Sequence, residues 1–221
     1  LFSDVSCYLA GMAQLETRAL ACHRGGRMVF THLGFSLQRG DALVLRGPNG
    51  SGKSTLLRLL ALLTPKRAGE ILWQGEAIDA EEHRQRLRFL GHADALKPAF
   101  SVLENLLFGA RLAAPQTNTA DCLAALERLG LRALAAQPTR FLSAGQKRRL
   151  ALARLVASGG ALWLLDEPMT ALDAPSAETL LALIEEFRAK GGIVVLSSHG
   201  ALEPRDAQTL RLQDFAAEQA A

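Results

Sequence analysis

A glycine-rich stretch carries the clearest chemistry in the sequence. It reads Gly47-Pro48-Asn49-Gly50-Ser51-Gly52-Lys53-Ser54 and is followed by Thr55. The spacing fits G-x-x-x-x-G-K-[ST], in which the backbone N–H groups of a glycine-rich turn face phosphate oxygens. The Lys53 ammonium would reach the β- and γ-phosphates, and the Ser54 hydroxyl would help to hold Mg²⁺. A plain glycine-rich turn does not require Lys-Ser at that spacing, so the sequence predicts a nucleotide site.

A pair of carboxylates, Asp166 and Glu167, follows the apolar run Ala161-Leu162-Trp163-Leu164-Leu165. Such a run is typical of a strand buried on both faces, so both carboxylates are expected where that strand ends. Beside a phosphate loop, the first carboxylate orients Mg²⁺ and the second polarises the attacking water. The alternative is a helix cap or an exposed acidic pair, which explains their position less well.

A third motif, Leu142-Ser143-Ala144-Gly145-Gln146, precedes a predicted helix that ends at about Ala157. Ser143 is a favourable N-cap for that helix. Lys147, Arg148 and Arg149 then lie in the first turns, where positive charge opposes the helix dipole. An anion bound at the N-terminus would relieve the conflict, and a solvated basic face is the alternative.

The elements that position these motifs are typical of an α/β core. Three apolar runs are predicted as buried parallel strands: 42–45, 161–165 and 193–196. They lead into Gly47, Asp166 and Ser197, so polar residues gather at the carboxyl ends of the strands, where open α/β sheets bind ligands. Leucines after the phosphate loop predict a mostly buried helix, and they are Leu56, Leu57, Leu59, Leu60 and Leu63.

The rest of the core is predicted from shorter patterns. Strands 15–20 and 28–37, joined by a turn at Gly25-Gly26, form a hairpin with one apolar face. Three further segments are predicted: a strand over 69–73, a return to the sheet at 89–91 after a charged stretch, and an amphipathic helix over 176–190 that Gly191-Gly192 ends.

The pattern changes between residues 101 and 134, where apolar residues recur at helical spacing. Pro115 and the polar residues after it separate two predicted helices. We therefore predict a helical subdomain, about residues 93–158, inserted into a single domain over 12–221. Residues 1–11 precede the first methionine, Met12, and are predicted to be an extension or a poorly ordered terminus.

Composition narrows the functional classes. The 221 residues carry a net charge of only +3, which is too weak a bias to indicate nucleic acid binding. No apolar stretch approaches the roughly 20 residues that span a bilayer. The three cysteines lack C-x-x-C spacing and the five histidines are scattered, so neither disulfides nor a metal cluster is expected.

Taken together, these motifs resemble those of ABC-type ATPases from Leu15 to about Leu212. Leu142-Ser143-Ala144-Gly145-Gln146 resembles the family signature L-S-G-G-Q, with Ala144 in place of the first glycine. The resemblance makes Asp166-Glu167 the Walker B pair, Ala171-Leu172-Asp173 the D-loop and His199 the switch histidine. It implies a mostly parallel P-loop core with an N-terminal antiparallel β subdomain. It also implies a head-to-tail dimer that sandwiches two ATP molecules, each between one phosphate loop and the partner's signature.

Two departures point to a narrower group. The family's glutamine that couples Mg²⁺ and water to the membrane partner falls on His92, and its adenine-stacking aromatic residue falls on Arg24. A guanidinium is planar and also stacks on a base. These two residues, together with the segments 89–92 and 143–149, resemble those of the ATP-binding subunits of haem exporters in bacterial cytochrome c biogenesis. Such a subunit would act at the cytoplasmic face of the inner membrane, on an integral membrane permease.

Other functions stay open at this point. One is the ATP-binding subunit of another ABC transporter, and a second is an ABC ATPase that acts on DNA, ribosomes or proteins. Proteins of the second class commonly carry two tandem units or a long coiled coil, and this sequence has one unit and no heptad run. His23, His32 and His83 are expected to be surface or core residues, so no direct haem site is predicted.

Overall fold

The chain forms two β-sheets with helices packed against them, and the computed structural model describes residues 14–198, 200 and 203–216. The strands are β1 Leu15–Arg24, β2 Arg27–Leu37, β3 Ala42–Arg46, β4 Ala68–Trp73, β5 Glu76–Ala77, β6 Leu87–Leu90, β7 Leu162–Leu165, β8 Ile193–Ser197 and β9 Gln208–Arg211. The α-helices are α1 Lys53–Leu60, α2 Ala80–Arg86, α3 Val102–Ala113, α4 Thr119–Arg128, α5 Ala144–Ser158 and α6 Ala174–Ala189. Short 3-10 helices cover Arg132–Leu134, Thr139–Phe141 and Leu212–Phe215.

The five-stranded sheet is parallel and has the order β6-β7-β8-β3-β9. Its central strands β7 and β8 are buried at every residue. Successive residues of β8 enter different core clusters, since Val194 packs with α3, α4 and α5 whereas Val195 packs with α1 and the other sheet. The prediction of strands buried on both faces is therefore confirmed.

The four-stranded sheet is antiparallel and has the order β2-β1-β4-β5. Gly25 and Gly26 join β1 to β2 with φ values of 57° and 78°, which suit a tight hairpin because its twist requires positive φ at both residues. Phe30 of β2 is fully buried in the same cluster as α1. This sheet thus covers the helix that follows the phosphate loop.

Three helices, α3, α4 and α5, lie between β6 and β7 in the chain, as the helical spacing predicted. Each begins with a capping box, in which the N-cap side chain and the third helical residue satisfy each other's backbone N–H groups. The limits of a separate subdomain at about 93–158 stay a prediction. The segment 1–11 lies outside the described residues.

Three parts of the fold differ from the sequence prediction or were not predicted. Leu63 lies beyond α1, because the helix ends at Leu60 and Leu62 turns the chain with φ 57°; Leu63 is 64% exposed. The charged stretch at α2 is a helix capped by Asp79, and it lacks an apolar period because His83 is its only buried residue. Strand β9 is mostly exposed, so it has no apolar run to reveal it.

Among the described residues, no helix has both the length and the apolar character required to cross a bilayer. Cys22 and Cys122 are buried free thiols, and burial is the main cause that raises the pKa of each. They belong to different core clusters.

The buried imidazole of His83 joins α2 to the end of α1. Its Nε2 lies 2.8 Å from the Leu60 carbonyl oxygen. Since a carbonyl only accepts, Nε2 carries the proton and Nδ1, which has no partner among the described residues, is left as a bare acceptor. Burial is the main cause that lowers the pKa of His83 from its ordinary value of 6.5.

This lowered pKa predicts a pH-dependent part of the stability. The contribution of neutral His83 is complete above pH 6.5 and is lost as the pH falls towards the folded-state pKa, because the unfolded chain takes up the proton first. Between about pH 7.5 and about 5.5, the free energy of unfolding in urea should fall more in the wild type than in His83→Gln. The exposed His23, changed to Gln, should keep the wild-type slope. Equal slopes for the wild type and His83→Gln would contradict this prediction.

Candidate functional site

A cavity of about 1250 Å³ opens at the carboxyl edge of the parallel sheet. Its lining includes residues 48–55 of the phosphate loop, Arg24 at the end of β1 and Glu167 after β7. Polar side chains from separate parts of the sequence therefore meet at the edge where open α/β sheets bind ligands.

Two glycines of the phosphate loop are closely packed against side chains. A Cβ on Gly52, whose φ is 104°, would lie 2.5 Å from Val29 Cγ1, and one on Gly47 would lie 2.6 Å from Ser51 Oγ. The Lys53 side chain is 6% exposed, and its Nζ donates to the carbonyl oxygens of Gly47 at 2.7 Å and Pro48 at 3.1 Å. These contacts fix the ammonium along the loop.

The N-terminus of α1 faces this cavity without a side-chain cap. Its N-cap is Gly52, and no acidic residue lies in its first turn. The first N–H groups of a helix have no partner within the helix, and the dipole favours negative charge there. The loop and the helix together form a place for an anion, as the motif predicted.

Asp166 connects the phosphate loop to two neighbouring strands. Its side chain is 3% exposed, and its Oδ1 accepts a hydrogen bond from Ser54 Oγ at 3.0 Å and another from Ser197 Oγ at 2.9 Å. Ser54 is the second residue of α1, Asp166 follows β7 and Ser197 ends β8. One carboxylate oxygen therefore joins three elements at the edge of the cavity.

Glu167 is held in an uncommon backbone conformation. Its φ of 47° lies in the left-handed region, which costs of order 1–3 kcal/mol for a residue other than glycine. Its backbone N–H donates to Ser197 Oγ at 2.8 Å, and Thr170 Oγ1 lies 3.5 Å from its Oε2. The turn brings Glu167 to the wall of the cavity that the phosphate loop also lines.

The signature motif lies elsewhere. Ser143 caps α5 by accepting from the Gln146 N–H at 3.2 Å, and Gln146 Oε1 accepts from the Ser143 N–H at 2.8 Å. None of residues 143–146 lines the cavity of this chain's own phosphate loop. A Cβ on Gly145 would lie 3.0 Å from the Ala171 carbonyl oxygen, so the signature packs directly on the D-loop segment.

The other predicted residues fall in different places. Arg24 is exposed at the rim of the cavity. His92 is also exposed, directly after β6 and Gly91, and it does not line the cavity. His199 lies outside the described residues. The fold thus brings together the phosphate loop, Asp166, Glu167 and Arg24, but not His92 or the signature.

Two side chains at the site have contacts that the sequence did not predict. Ser197 was expected among the polar residues at the ligand-binding edge but was given no role, although its hydroxyl contacts both members of the carboxylate pair. For the basic residues 147–149, the sequence left open a bound anion at the helix N-terminus or a solvated basic face. The solvated face is wrong for Arg148, and the bound anion stays a prediction. Arg148 is 3% exposed, and its guanidinium donates to backbone carbonyls of neighbouring loops. A charged residue near the start of a helix gives no local signal of such burial.

Comparison with known proteins gives a consistent result. A family model described as ABC transporter matches residues 30–170. The chain is 54% identical over 205 residues to the cytochrome c biogenesis ATP-binding export protein CcmA of Paramagnetospirillum magneticum, covering 91% of this chain and 94% of that protein. It is 40% identical over 203 residues to the protein of the same name from Escherichia coli K12, covering 91% and 96%.

Solved structures agree on the fold. A putative ABC transporter ATP-binding protein from Pyrococcus furiosus superposes with a TM-score of 0.81 at 27% identity, covering 92% of this chain and 99% of that one. The ADP conformation of MJ1267, an ATP-binding cassette, superposes with a TM-score of 0.73 at 24% identity, covering 87% and 83%. This second likeness concerns the fold alone.

The chain belongs to the ABC transporter family, and it is an ATP-binding ATPase of that family. Within it, the chain belongs to the family of cytochrome c biogenesis ATP-binding export proteins. The α/β P-loop fold predicted from the motifs is confirmed.

The hydroxyl of Ser197 provides a test of this site. Ser197→Ala removes one hydrogen bond from Asp166 and leaves the Glu167 N–H without its partner. Loss of a buried hydrogen bond of this kind costs about 1–3 kcal/mol. We expect the kcat for ATP hydrolysis to fall by about tenfold or more, because about 1.4 kcal/mol of transition-state stabilisation corresponds to a factor of ten.

Ser158→Ala is the matched control for this measurement. Ser158 is also buried, and its hydroxyl also accepts one hydrogen bond, from Arg88 Nε, and donates one, to the Arg154 carbonyl. It does not line the nucleotide cavity. A similar loss of kcat in both variants would show that Ser197 acts through general stability.

Proposed function

We propose that this chain is the ATP-hydrolysing subunit of an ABC transporter complex that works in bacterial cytochrome c biogenesis. Its hydrolysis of ATP would drive either the export of haem or the release of haem from its chaperone. The main observation behind this proposal is the cavity in which the phosphate loop faces Glu167, while Asp166 is hydrogen-bonded to Ser54.

Nucleotide binding follows from the loop geometry. The backbone N–H groups of residues 49–55, at the loop and the N-terminus of α1, would hold the phosphates, with the Lys53 ammonium beside them. The planar guanidinium of Arg24, exposed at the rim, would stack on the adenine ring.

The residues present fit a magnesium ion. Ser54 and Asp166 offer oxygen atoms, which Mg²⁺ prefers, and they lie 3.0 Å apart. Across residues 14–198, 200 and 203–216, no group of three His, Cys, Asp or Glu residues forms a complete protein cage. Mg²⁺ usually takes one or two protein ligands together with phosphates and waters. When bound, the ion would neutralise charge on the phosphate oxygens.

We assign Glu167 the role of general base, because it is an acidic residue in the wall of the cavity that the phosphate loop also lines. It would accept a proton from the attacking water as the bond from that water's oxygen to the γ-phosphorus forms and the bond from the γ-phosphorus to the β–γ bridging oxygen breaks, which releases ADP and phosphate. The resemblance to ABC ATPases gives His199 the role of the switch histidine in the same reaction. His92 is exposed in the loop after β6 and would contact water or the metal ion only after that loop moves towards the site.

A second copy of the chain would complete the site. The exposed N-terminus of α5 carries Ser143 and Ala144, and these residues do not reach this chain's own cavity. An uncovered helix N-terminus favours a phosphate. In a head-to-tail dimer, residues 143–146 of one copy would therefore contact the nucleotide bound at the other copy's phosphate loop.

Two substitutions distinguish the role of Glu167 in ATP hydrolysis from the role of Ser143 in dimer formation. Glu167→Gln should bind Mg-ATP normally but hydrolyse it about 10²–10⁴-fold more slowly, because the general base is lost. An ATP-bound dimer should then accumulate, and light scattering should detect it.

Ser143→Arg should also bind ATP in the monomer, but the bulky cation should prevent dimer formation. Lys53→Ala serves as the control, since it should weaken nucleotide binding itself.

Near-normal turnover by Glu167→Gln would remove Glu167 from the role of base. Equal loss of ATP binding in Ser143→Arg and Lys53→Ala monomers would contradict the sandwich arrangement.

An exposed surface beside the His92 loop supports docking on a membrane permease. We call it the Phe108 surface, and it consists of Lys97, Phe100, Phe108 and Leu112. Phe108 and Leu112 are 45% and 73% exposed and lie four residues apart on α3, so they share one side of the helix. The rings of Phe108 and Phe100 meet edge to face at 6.0 Å, and Lys97 Nζ lies 4.8 Å from the Phe108 ring centre.

The names of the relatives support a role for this chain in cytochrome c biogenesis. They are named as ATP-binding export proteins of cytochrome c biogenesis. Haem is the group that c-type cytochromes hold covalently. The chain would therefore work at the cytoplasmic face of the inner membrane, and haem would be recognised by the permease and not by this subunit.

Substitutions on the Phe108 surface test this partner. Phe108→Glu and Leu112→Glu should each reduce co-purification with the permease from detergent-solubilised membranes by about tenfold or more, as expected when an aromatic or aliphatic anchor is lost. Cytochrome c maturation should fall in parallel, whereas the ATPase rate of the isolated chain should not change. Leu63→Glu, at an equally exposed leucine outside this surface, should behave as the wild type.

Unchanged co-purification in both variants would place the permease elsewhere. Intact cytochrome c maturation in a strain that lacks the ATPase activity would instead favour another transporter or a non-transport role.

A further inference from the structure

A single buried arginine connects the helix of the signature motif to two loops at the edge of the parallel sheet. Arg148 lies in the second turn of α5, and the structure gives its guanidinium five hydrogen bonds. Only 3% of the residue is exposed. Burying a charged guanidinium costs folding free energy unless its N–H donors are satisfied, and each of the three nitrogens of Arg148 has an acceptor.

Three of these bonds hold consecutive backbone carbonyls. Arg148 Nη2 donates to the carbonyl oxygens of Asp166 at 2.9 Å and Glu167 at 2.8 Å, and Nε donates to that of Pro168 at 3.2 Å. These peptide groups form the turn in which Glu167 has a φ of 47°. A left-handed residue other than glycine persists only where its surroundings impose that conformation. Arg148 supplies this constraint on the carbonyl side, and Ser197 supplies it at the Glu167 N–H.

The other two bonds reach the loop that carries His92. Arg148 Nη1 donates to the Gly91 carbonyl oxygen at 3.0 Å and to Asp94 Oδ1 at 3.1 Å. Arg154, farther along α5, adds a bond from Nη2 to the Asp94 carbonyl at 2.6 Å. The loop is therefore held on both sides of His92, at Gly91 and Asp94, by the same helix that begins with the signature.

We propose that Arg148 is a positioning residue for ATP hydrolysis. It fixes the backbone of residues 166–168 so that the Glu167 carboxylate faces the phosphate loop, and it links this turn to the His92 loop and to the signature helix. The inference rests on the proposed role of Glu167 as the base. A movement of the His92 loop or of α5 would then be transmitted to Glu167 through one rigid guanidinium.

The planar geometry of arginine is essential to this role. Its donors lie in a fixed fork, which spans carbonyls on two loops at once. Lysine keeps the charge but concentrates its donors on one nitrogen, and glutamine keeps only two donors. Neither Arg148→Lys nor Arg148→Gln can therefore hold both the 166–168 turn and the His92 loop.

The test measures ATP turnover and ATP binding on the same purified full-length chain. Arg148→Lys and Arg148→Gln should lower kcat by about 10²-fold, because a misplacement of a catalytic group by about 1 Å has an effect of that size. The Kd of a fluorescent ATP analogue should stay within about twofold of the wild type, because Arg148 does not line the nucleotide cavity.

Arg88 offers a closely matched control. It is 6% exposed, and its guanidinium also makes five hydrogen bonds, to Ser158, Gln85 and Leu87, away from the nucleotide cavity. Arg88→Lys should lower the melting temperature as Arg148→Lys does, but it should keep kcat near the wild-type value below that temperature. Equal kcat values for the two lysine variants would overturn the inference.

A double substitution shows whether Arg148 acts through Glu167. Arg148→Lys should lower the residual rate of Glu167→Gln far less than it lowers the wild-type rate, because the group that it positions is already absent. An equal fold-loss in both backgrounds would overturn the inference while leaving the proposed function intact. Wild-type turnover by Glu167→Gln alone would overturn the proposed base and this inference with it. The two failures are thus distinguishable.

Discussion

The rest of the site depends on the hydrogen bonds that the Asp166 carboxylate accepts. Its Oδ1 accepts from Ser54 at the start of α1 and from Ser197 at the end of β8. The group is 3% exposed, and hydrogen bonds to a buried charged group are stronger than those between neutral groups. A shift of β7 relative to β8 or to α1 would break at least one of these bonds, so the positions of the phosphate loop and Glu167 are linked.

The parallel sheet makes this contact possible because its central strands leave little freedom. Every residue of β7 and β8 is buried, and alternate side chains fill two different core clusters. A one-residue slip of either strand would exchange these faces and place each side chain in the wrong cluster. The carboxyl ends of β3, β7 and β8 are consequently fixed in register, and the phosphate loop, the carboxylate pair and Ser197 follow them directly.

The helices between β6 and β7 add a second level of organisation. Helix α5 presents its N-terminus on the surface, whereas Arg148 in the next turn is buried against the loops of the site. Contact of a second chain with the signature would therefore act on a helix that is hydrogen-bonded to the Glu167 turn. The Phe108 surface lies on α3, which packs on α5 in the same core cluster. In the proposed complex, contacts of a second chain and of the permease would thus reach the nucleotide site through one helix.

The sequence by itself determined the features that depend on local spacing. Each of these features arises from residues that are close together in the sequence. They are Lys53-Ser54 after three glycines, the carboxylates after an apolar run and the Ser143 cap. The structure has the corresponding loop, turn and helix. The tertiary structure alone decided which distant groups meet. Ser197 joins Asp166 across 31 positions and Arg148 reaches the Gly91 carbonyl across 57, and neither contact leaves a periodicity in the chain. The same holds for the exposure of Leu63 and for the burial of His83, since a residue's surroundings depend on how the elements pack and not on its own type.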